Sequence, residues 1–228
     1  MGFYNATLTK CGFLRCPSLL ETTVCGVIAA AFDEPHGAGI RHLIDHPSVI
    51  YAIRQSSVAE LVHEVLGGSA FAYKATLFDK HTEANWLVAW HQDLSIPVQR
   101  RLDLDNWTGW SCKDHVLYVQ PPTEVLSKLV ALRINLDDCN VESGPLRLLE
   151  GSHRLGKLLH REISHYLGNH VEQTVTGLCG DGLLKRPLLI HASSKAAVKA
   201  RRRILHLEFA NFDLPDGMDW HRRVALSG

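Results

Sequence analysis

The stretch Trp90-His91-Gln92-Asp93-Leu94 places an imidazole and a carboxylate two residues apart. On a β-strand, side chains two residues apart point to the same side, so His91 and Asp93 are predicted to act as a chelating pair. A His-x-Asp triplet arises readily by chance in a chain of this size. The prediction of a metal site therefore depends on a third ligand elsewhere in the chain.

His191 is the candidate for that third ligand, and it closes the apolar run at residues 188–190. The run is typical of a buried strand, and Ser193 is predicted on the same face as His191. Two histidines and one carboxylate on one face of a metal leave positions open for substrate and oxygen, as in non-haem Fe(II) oxygenases. A lone histidine of this kind is more often a hydrogen-bonded core residue, so the joint pattern carries the prediction.

Arg202 follows His191 by eleven residues, in a run that alternates polar and apolar side chains. The alternation predicts an antiparallel strand that returns Arg202 to the neighbourhood of His191 and Ser193. A guanidinium makes a two-pronged pair with a carboxylate. If the cosubstrate is 2-oxoglutarate, Arg202 is therefore the candidate that binds its distal carboxylate, with Ser193 as a further donor. A shift in register would give this role to Arg201 or Arg203.

At these residues the sequence resembles the phytanoyl-CoA dioxygenase family of iron- and 2-oxoglutarate-dependent oxygenases. The resemblance rests on residues 91–93, on Ser-Gly-Pro-Leu-Arg-Leu-Leu-Glu-Gly-Ser-His at 143–153, and on the spacing of His191 and Arg202. It covers the chain from about residue 37 to the C-terminus. It implies a catalytic centre that uses Fe(II), 2-oxoglutarate and O₂ and releases succinate and CO₂. Hydroxylation of an unactivated C–H bond of a small molecule is the expected outcome, with desaturation, ring closure and epimerisation left open.

Short alternating runs separated by Gly and Pro predict antiparallel strands rather than βαβ units. The predicted strands are 70–78, 86–93, 131–137, 145–151, 171–176, 183–191 and 202–209. Helices are predicted at 19–32 and from Ser57, where Ser57 and Glu60 form a capping box. The pattern and the resemblance together predict a mainly β protein with flanking helices, folded as a double-stranded β-helix or cupin-like jelly-roll barrel.

Two groups of residues are candidates for contact with the substrate. In the strand at 131–137 the apolar side chains are expected to face helices, which leaves Arg133 and Asn135 pointing into the cavity. For Arg133, binding of a carboxylate and a structural ion pair are equally open. The long aromatic segment 95–120 is typical of a lid, and Trp107 or Trp110 would either touch the substrate or only pack over the barrel mouth.

The 228 residues include 24 basic and 24 acidic side chains, so the formal net charge is zero. A chain of this length is expected to form one domain over residues 1–228, with helical support at 1–68 and a barrel core at 69–211. The balanced charge argues against nucleic acid or a membrane as a partner. The oligomeric state is left open.

Six cysteines are scattered without C-x-x-C pairs, and the N-terminus shows no basic-then-apolar signal. These features predict free thiols and a cytoplasmic protein. Cys11, Cys16 and Cys25 could contribute to a zinc site, but no complete set of four ligands lies nearby, so structural thiols are favoured.

Two other classes of protein remain as alternatives to an oxygenase. A cupin-like metal-binding protein without 2-oxoglutarate turnover would keep His91, Asp93 and His191 but would not need Arg202. A non-catalytic barrel would tolerate loss of all three ligands. The arginine and the complete ligand set therefore favour the oxygenase.

Overall fold

The computed structural model of the protein describes residues 3–34, 37–199, 201–215 and 217–227, except for the side chain of Phe3. Small parts of the predicted 1–228 domain therefore lie outside the described residues. The strands are β1 (Phe13–Cys16), β2 (Gly39–Ile40), β3 (Phe71–Lys80), β4 (Val88–His91), β5 (Ile96–Val98), β6 (Thr108–Lys113), β7 (Val116–Gln120), β8 (Val130–Asn135), β9 (Leu146–Leu149), β10 (Glu172–Val175), β11 (Gly182–Lys185), β12 (His191–Ser193), β13 (Arg202–Ala210) and β14 (Val224–Ala225). The α-helices are α1 (Phe3–Cys11), α2 (Thr22–Ala30), α3 (Pro47–Ile53), α4 (Ser56–Leu66), α5 (Thr123–Leu126) and α6 (His160–Ile163). Within the described residues, no helix is long and apolar enough to cross a membrane.

Two antiparallel sheets form the barrel. The main sheet runs in the order β1-β11-β8-β13-β3-β14 with β2 beside β3, and the smaller sheet runs β10-β9-β12-β4. Side chains from both sheets line one cavity, which therefore lies between them. This is the mainly β jelly-roll barrel with flanking helices that the sequence predicted.

The outer face of the main sheet is buried under N-terminal helices. Leu132 and Ile134 of β8 are fully buried in one cluster with Ile28 of α2 and Val58 of α4. Complete burial of an aliphatic side chain of this size contributes about 1.5–3 kcal/mol, so this layer holds the helices on the sheet. Because strand side chains alternate, the opposite face of β8 carries Arg133 into the cavity, as predicted.

The start of α4 differs from the prediction. Helix α4 begins at Ser56 with Gln55 as its N-cap, and no side chain caps it. Ser57 lies inside the first turn, where its hydroxyl donates to the carbonyl oxygen of Leu19 at 2.6 Å. The predicted capping box of Ser57 and Glu60 is therefore wrong, because the serine ties the helix to a distant loop instead.

The predicted strand at 183–191 is two strands that belong to different sheets. Strand β11 lies in the main sheet and β12 in the smaller one. Between them the chain turns at Pro187 and Leu188, with the amide of Leu189 donating to the carbonyl of Arg186 at 3.1 Å. His191 consequently begins a strand rather than ending one, and the crossing is what delivers it to β4.

Residues 95–120, predicted as an irregular lid, form a third antiparallel sheet in the order β5-β7-β6. Strand β6 is mostly exposed along its length, so its sequence carries no alternation between a buried and a solvent face. Trp107, just before β6, is 7% exposed and packs in a cluster with Leu126 and Trp220. The expectation of an irregular segment is therefore wrong.

Candidate metal centre

Three side chains that could hold a metal ion meet where β4 and β12 pair. His91 lies opposite His191 in the register of the two strands, and Asp93 follows the end of β4. The Nε2 atoms of His91 and His191 lie 3.7 and 3.5 Å from the carboxylate oxygens of Asp93. All three ligand atoms lie within 4.8 Å of one another. The structure thus brings together the three ligands that the sequence predicted.

Both imidazole rings are oriented by the backbone. Nδ1 of His91 lies 2.8 Å from the carbonyl oxygen of Ala89, and Nδ1 of His191 lies 2.8 Å from that of Leu189. A carbonyl oxygen only accepts a hydrogen bond, so Nδ1 carries the proton in each ring. The lone pair is then on Nε2, which faces the carboxylate. The donor set therefore fits a divalent metal without any change of tautomer.

Lys185 holds the carboxylate of Asp93. This lysine is fully buried at the end of β11, and its Nζ donates to Oδ2 of Asp93 at 2.6 Å. Burial raises the pKa of Asp93, but neighbouring positive charge, with Lys185 the largest contributor, outweighs burial and holds the pKa well below its ordinary value. The carboxylate is therefore ionised and oriented. Lys185 was not predicted, since a lysine that ends an apolar strand gives no sign of facing inward.

His191 stays neutral in this setting. Burial is the largest influence that lowers the pKa of His191 well below its ordinary value, and the charge of Lys185 lowers it further. Only a neutral imidazole can donate its nitrogen lone pair to a metal. The environment of His191 is accordingly that of a ligand rather than of a charged surface histidine.

The metal ligands open into a cavity of about 520 Å³, a volume that includes its mouth. Its apolar wall is formed by Phe78, Trp86, Val88 and Leu146, and its polar side chains include Lys80, Arg133, Ser193, Arg202 and His206. The cavity joins an apolar surface, a metal-binding group and several cations. It is therefore suited to a small molecule that carries negative charge.

Arg202 reaches this cavity from the opposite sheet. Its Cα partner in β3 is Lys80, so β13 is not the hairpin partner of β12 that the sequence predicted. The Arg202 side chain is 4% exposed, its Nη1 lies 4.0 Å from the Cys139 sulfur, and its Nε has no hydrogen-bond partner among the described residues. Arg202 is thus a buried cation without a carboxylate.

The two neighbouring arginines are occupied elsewhere. Arg201 donates from Nε and Nη2 to the two oxygens of Asp79 at 3.0 and 2.8 Å. Arg203 donates in the same two-pronged way to Asp137 at 2.9 and 2.8 Å. Of the three arginines, Arg202 is the one that lines the cavity.

Lys80 and Ser193 lie beside Arg202. The Lys80 side chain is buried, and its Nζ donates to Oγ of Ser193 at 3.1 Å and to the carbonyl of Ser194 at 2.5 Å. Burial, with help from Arg202 and Arg133, lowers the pKa of Lys80 to about 8. Lys80 was not predicted as a site residue because it ends β3 beyond the alternation visible at 70–78.

Arg133 and Asn135 separate in the structure. Arg133 lines the metal cavity, and its guanidinium lies 5.5 Å from the centre of the Phe78 ring. Asn135 lines a neighbouring pocket with Asp181, and its amide donates to the carbonyl of Leu178 at 3.3 Å. The structure therefore places Arg133, but not Asn135, beside the predicted ligands.

Neither predicted tryptophan lines the metal cavity. Trp107 is buried in its own cluster, and the ring of Trp110 lies 5.5 Å from the guanidinium of Arg101. The aromatic residue that does line the cavity is Trp86, whose ring lies 5.2 Å from Nζ of Lys80. Trp107 and Trp110 act as packing residues here, which was the alternative left open by the sequence.

The solved structures with a similar fold include enzymes that differ in reaction. The non-heme alpha ketoglutarate dependent carbocyclase SnoK from nogalamycin biosynthesis has a TM-score of 0.69 and 15% identity, covering 95% of this chain and 89% of that chain. The epimerase SnoN from nogalamycin biosynthesis has a TM-score of 0.68 and 15% identity, covering 99% and 94%. HygX from Streptomyces hygroscopicus, with nickel and 2-oxoglutarate bound, has a TM-score of 0.66 and 16% identity, covering 93% and 89%. At this identity the likeness shows the fold.

No curated protein sequence matches the chain. The profile of the phytanoyl-CoA dioxygenase (PhyH) family matches residues 12–204, a span that contains His91, Asp93, His191 and Arg202. The predicted cofactors, iron and 2-oxoglutarate, agree with this family and with the ligands in structures of SnoN and HygX. Because the profile covers most of its length, the chain belongs to the phytanoyl-CoA dioxygenase family.

Proposed function

We propose that this protein is an Fe(II)- and 2-oxoglutarate-dependent dioxygenase that hydroxylates an unactivated C–H bond of a small molecule and releases succinate and CO₂. The observation that carries the proposal is the combination of the ligand set with Arg202 in one cavity. A cupin-like metal-binding protein would need the ligands alone. The buried, unpaired guanidinium favours an enzyme with a dicarboxylate cosubstrate.

His91, Asp93 and His191 would hold the iron in this proposal. When bound there, Fe(II) with 2-oxoglutarate couples decarboxylation of the 2-oxo acid by O₂ to oxidation of a C–H bond. Three protein ligands on one face leave the remaining positions for cosubstrate and oxygen. The carbonyls that orient the two rings, and Lys185 on Asp93, fix the ligand atoms before the metal arrives, as supporting hydrogen bonds do in other metal sites.

Arg202 would bind the distal carboxylate of 2-oxoglutarate. A buried donor without a partner costs on the order of 1–3 kcal/mol, and a carboxylate at Arg202 would remove that cost. Lys80, whose Nζ lies 3.1 Å from Oγ of Ser193, would add a second positive charge for the same carboxylate. The Ser193 hydroxyl donates to the carbonyl of Gly144 at 2.9 Å, so it would have to leave that bond to donate to the anion. Arg201 and Arg203 are held by Asp79 and Asp137, so neither is free for this role.

Hydroxylation is proposed over epimerisation because of what lines the cavity. Epimerisation requires a side chain that returns hydrogen to the opposite face of the oxidised carbon, a task suited to a tyrosine or a thiol. Among the described residues, neither a tyrosine nor a cysteine lines the cavity. Hydroxylation needs only the metal, O₂ and a site that keeps water from the oxidant, and Phe78, Trp86, Val88 and Leu146 supply that apolar cover.

The test is anaerobic loading with Fe(II), then addition of 2-oxoglutarate, a metabolite panel and ¹⁸O-labelled O₂. We expect succinate release that a substrate stimulates, and a product that gains one labelled oxygen atom. The His191→Ala variant is the control, because it should lose iron binding and succinate release together. Iron binding by the wild type without any binding of 2-oxoglutarate would instead favour the cupin-like alternative.

A further inference from the structure

The metal cavity carries more positive charge than the proposed metal and cosubstrate need. Lys80, Arg133 and Arg202 line it, and Lys185 lies against the Asp93 carboxylate. Asp93 is the single acidic side chain lining the cavity in the described part of the chain. Buried charges in proteins are normally paired, so an excess of one sign inside a barrel calls for a ligand of the other sign.

The iron, cosubstrate and Arg202 already balance without the other cations. The two charges of Fe(II) and the one of Arg202 match the single charge of Asp93 and the two of 2-oxoglutarate. Lys80, Arg133 and Lys185 then remain as surplus positive charge. A neutral substrate would leave this surplus uncompensated.

Glu208, a buried acid beside the cavity-lining His206, does not supply the missing charge. It accepts hydrogen bonds from Lys74 at 2.7 Å and from the hydroxyl of Tyr73 at 2.8 Å, and it lies 3.3 Å from His206. Burial raises its pKa, but Lys74 and His206 outweigh burial and lower the pKa to about 2. Glu208 is therefore the counter-ion of Lys74.

Arg133 is the surplus cation with the fewest partners. Lys185 donates to Asp93, and Lys80 donates to Ser193 and the Ser194 carbonyl. Arg133 makes no ion pair or hydrogen bond to any residue that the structure describes, and its guanidinium lies 5.5 Å from the Phe78 ring centre. Burial, followed by the charge of Arg202, lowers the pKa of Arg133 to about 10, which still leaves it charged near neutral pH.

Arg133 also enters the cavity at a different level from Arg202. Arg133 lies opposite His206 in the register of β8 and β13, whereas Arg202 lies opposite Lys80 in β3. The four residue-to-residue steps from Arg202 to His206 span about 14 Å of strand. The backbone positions of the two arginines are thus far enough apart for their side chains to bind two different anionic groups.

We propose that the primary substrate is a small organic acid whose oxyanion, a carboxylate or a phosphate ester, is bound by Arg133. The inference rests on the proposed function and names its substrate class. A guanidinium matches either oxyanion with two parallel hydrogen bonds. The apolar wall of Phe78, Trp86, Val88 and Leu146 receives the carbon skeleton.

Matched acid and neutral probes test this inference. Protein loaded anaerobically with Fe(II) and saturating 2-oxoglutarate is titrated calorimetrically with benzoate, hexanoate and phenyl phosphate, and with benzamide and hexanamide as neutral counterparts. We expect the wild-type protein to bind at least one acid about tenfold or more tightly than it binds the neutral counterpart, or than the Arg133 variant binds the same acid. Preference for benzoate or for phenyl phosphate identifies the oxyanion.

Arginine variants locate the binding group. Arg133→Gln should lose the affinity for the acids while its Kd for 2-oxoglutarate stays close to wild type, and Arg133→Lys should retain part of the acid affinity. Arg202→Gln should do the reverse, raising the Kd for 2-oxoglutarate. Arg147→Gln is the matched control, since this half-buried arginine pairs with Glu172 outside the cavity and should leave both affinities unchanged. Melting curves of each variant establish that it is folded.

Three results would overturn the inference. If the amides bind as tightly as the acids, or if the acids show no affinity in the millimolar range, the cavity does not recognise an oxyanion. Arg133→Gln raising the 2-oxoglutarate Kd as far as Arg202→Gln would make Arg133 a cosubstrate ligand. Failure of wild type to bind 2-oxoglutarate, with acid binding still dependent on Arg133, would instead sink the proposed oxygenase and leave the anion site.

Discussion

Three consecutive arginines at the start of β13 show how alternation along a strand assigns different roles to identical side chains. Arg201 and Arg203 point outward to Asp79 and Asp137, which hold them in two-pronged pairs. Arg202 points inward and finds no carboxylate. A shift of one residue would exchange these roles, so the ion pairs of the outer arginines fix the register that delivers Arg202 to the cavity.

The first prediction separates these arginines by experiment. Arg202→Gln should raise the Kd for 2-oxoglutarate by about 10- to 100-fold, because a charge-assisted pair with a buried partner contributes about 1.5–3 kcal/mol. Arg203→Gln should leave that Kd unchanged and lower the melting temperature, because it leaves Asp137 unpaired. Calorimetric titration of 2-oxoglutarate in the iron-loaded protein gives the Kd. An unchanged Kd in Arg202→Gln together with a raised Kd in Arg203→Gln would reverse the assignment.

The second prediction concerns Lys80 and pH. The pKa of Lys80 is lowered to about 8, chiefly by burial, so in the ligand-free protein it loses its charge as the pH rises through that value. A bound anion stabilises the protonated lysine and therefore raises the pKa of Lys80 in the complex. The Kd for 2-oxoglutarate should then rise above about pH 8, by about tenfold per pH unit, until the pH reaches the pKa of Lys80 in the complex. The Lys80→Met variant should show a flatter profile. Equal pH dependence in both proteins would exclude Lys80 as the titrating group.

The same lowered pKa has the opposite effect on the stability of the ligand-free fold. Between about 8 and the ordinary lysine value of 10.5, the unfolded chain binds more protons at this position than the folded chain. The contribution of Lys80 to the free energy of unfolding therefore rises with pH across that window. Charged Lys80 thus destabilises the ligand-free protein but contributes to binding when an anion is present.

At the scale of elements, the sequence predicts those strands that have one apolar and one polar face. Strands β8 and β13 could be predicted because one face packs under the helices and the other faces the cavity, so polar and apolar residues alternate. All three residues of β12 are buried, so it shows no alternation, and its separation from β11 was missed. A short strand that is buried on both faces has an apolar sequence that cannot be distinguished from the apolar residues before it.

The metal ligands were predictable for a reason that does not extend to the rest of the site. His91 and Asp93 lie two residues apart, and His191 lies eleven residues before Arg202, a spacing on which the family resemblance rests. The positions of Lys80, Lys185 and Trp86 depend instead on which sheet faces which across the cavity. That relation is tertiary, and no local pattern encodes it.

The third prediction concerns the sheet formed by β5, β6 and β7. Trp107 is 7% exposed in the cluster with Trp220, so Trp107→Ala should lower the free energy of unfolding by about 3–5 kcal/mol, as expected for loss of a buried aromatic side chain. Its Kd for 2-oxoglutarate should not change, because Trp107 does not line the cavity. Denaturant unfolding and calorimetry give the two values. If Trp107→Ala changes the KM for substrate but not the stability, the result would support the original hypothesis that this segment is a lid over the substrate.

At the scale of the whole molecule, residues near both ends of the chain join the main sheet. Strand β1 pairs with β11, placing Phe13 opposite Lys185, and β14 pairs with the start of β3. The predicted support segment at 1–68 thus contributes an edge strand next to the lysine that holds Asp93. We propose that the chain is one domain in which the metal centre and the N-terminal segment are stabilised together.

The fourth prediction tests that proposal. Unfolding followed by far-ultraviolet and near-ultraviolet circular dichroism should give one coincident transition, as expected for a single cooperative domain. A variant shortened to begin after Cys16 loses β1 and the fully buried Leu8 of α1, so it should melt at a lower temperature. It should also bind Fe(II) more weakly, because uncovering β11 loosens Lys185 and with it Asp93.

A matched Leu8→Ala variant, which keeps β1, should lose stability with a smaller loss of iron affinity. Two separate transitions, or a shortened chain with wild-type iron affinity, would show that the N-terminal segment is independent of the barrel.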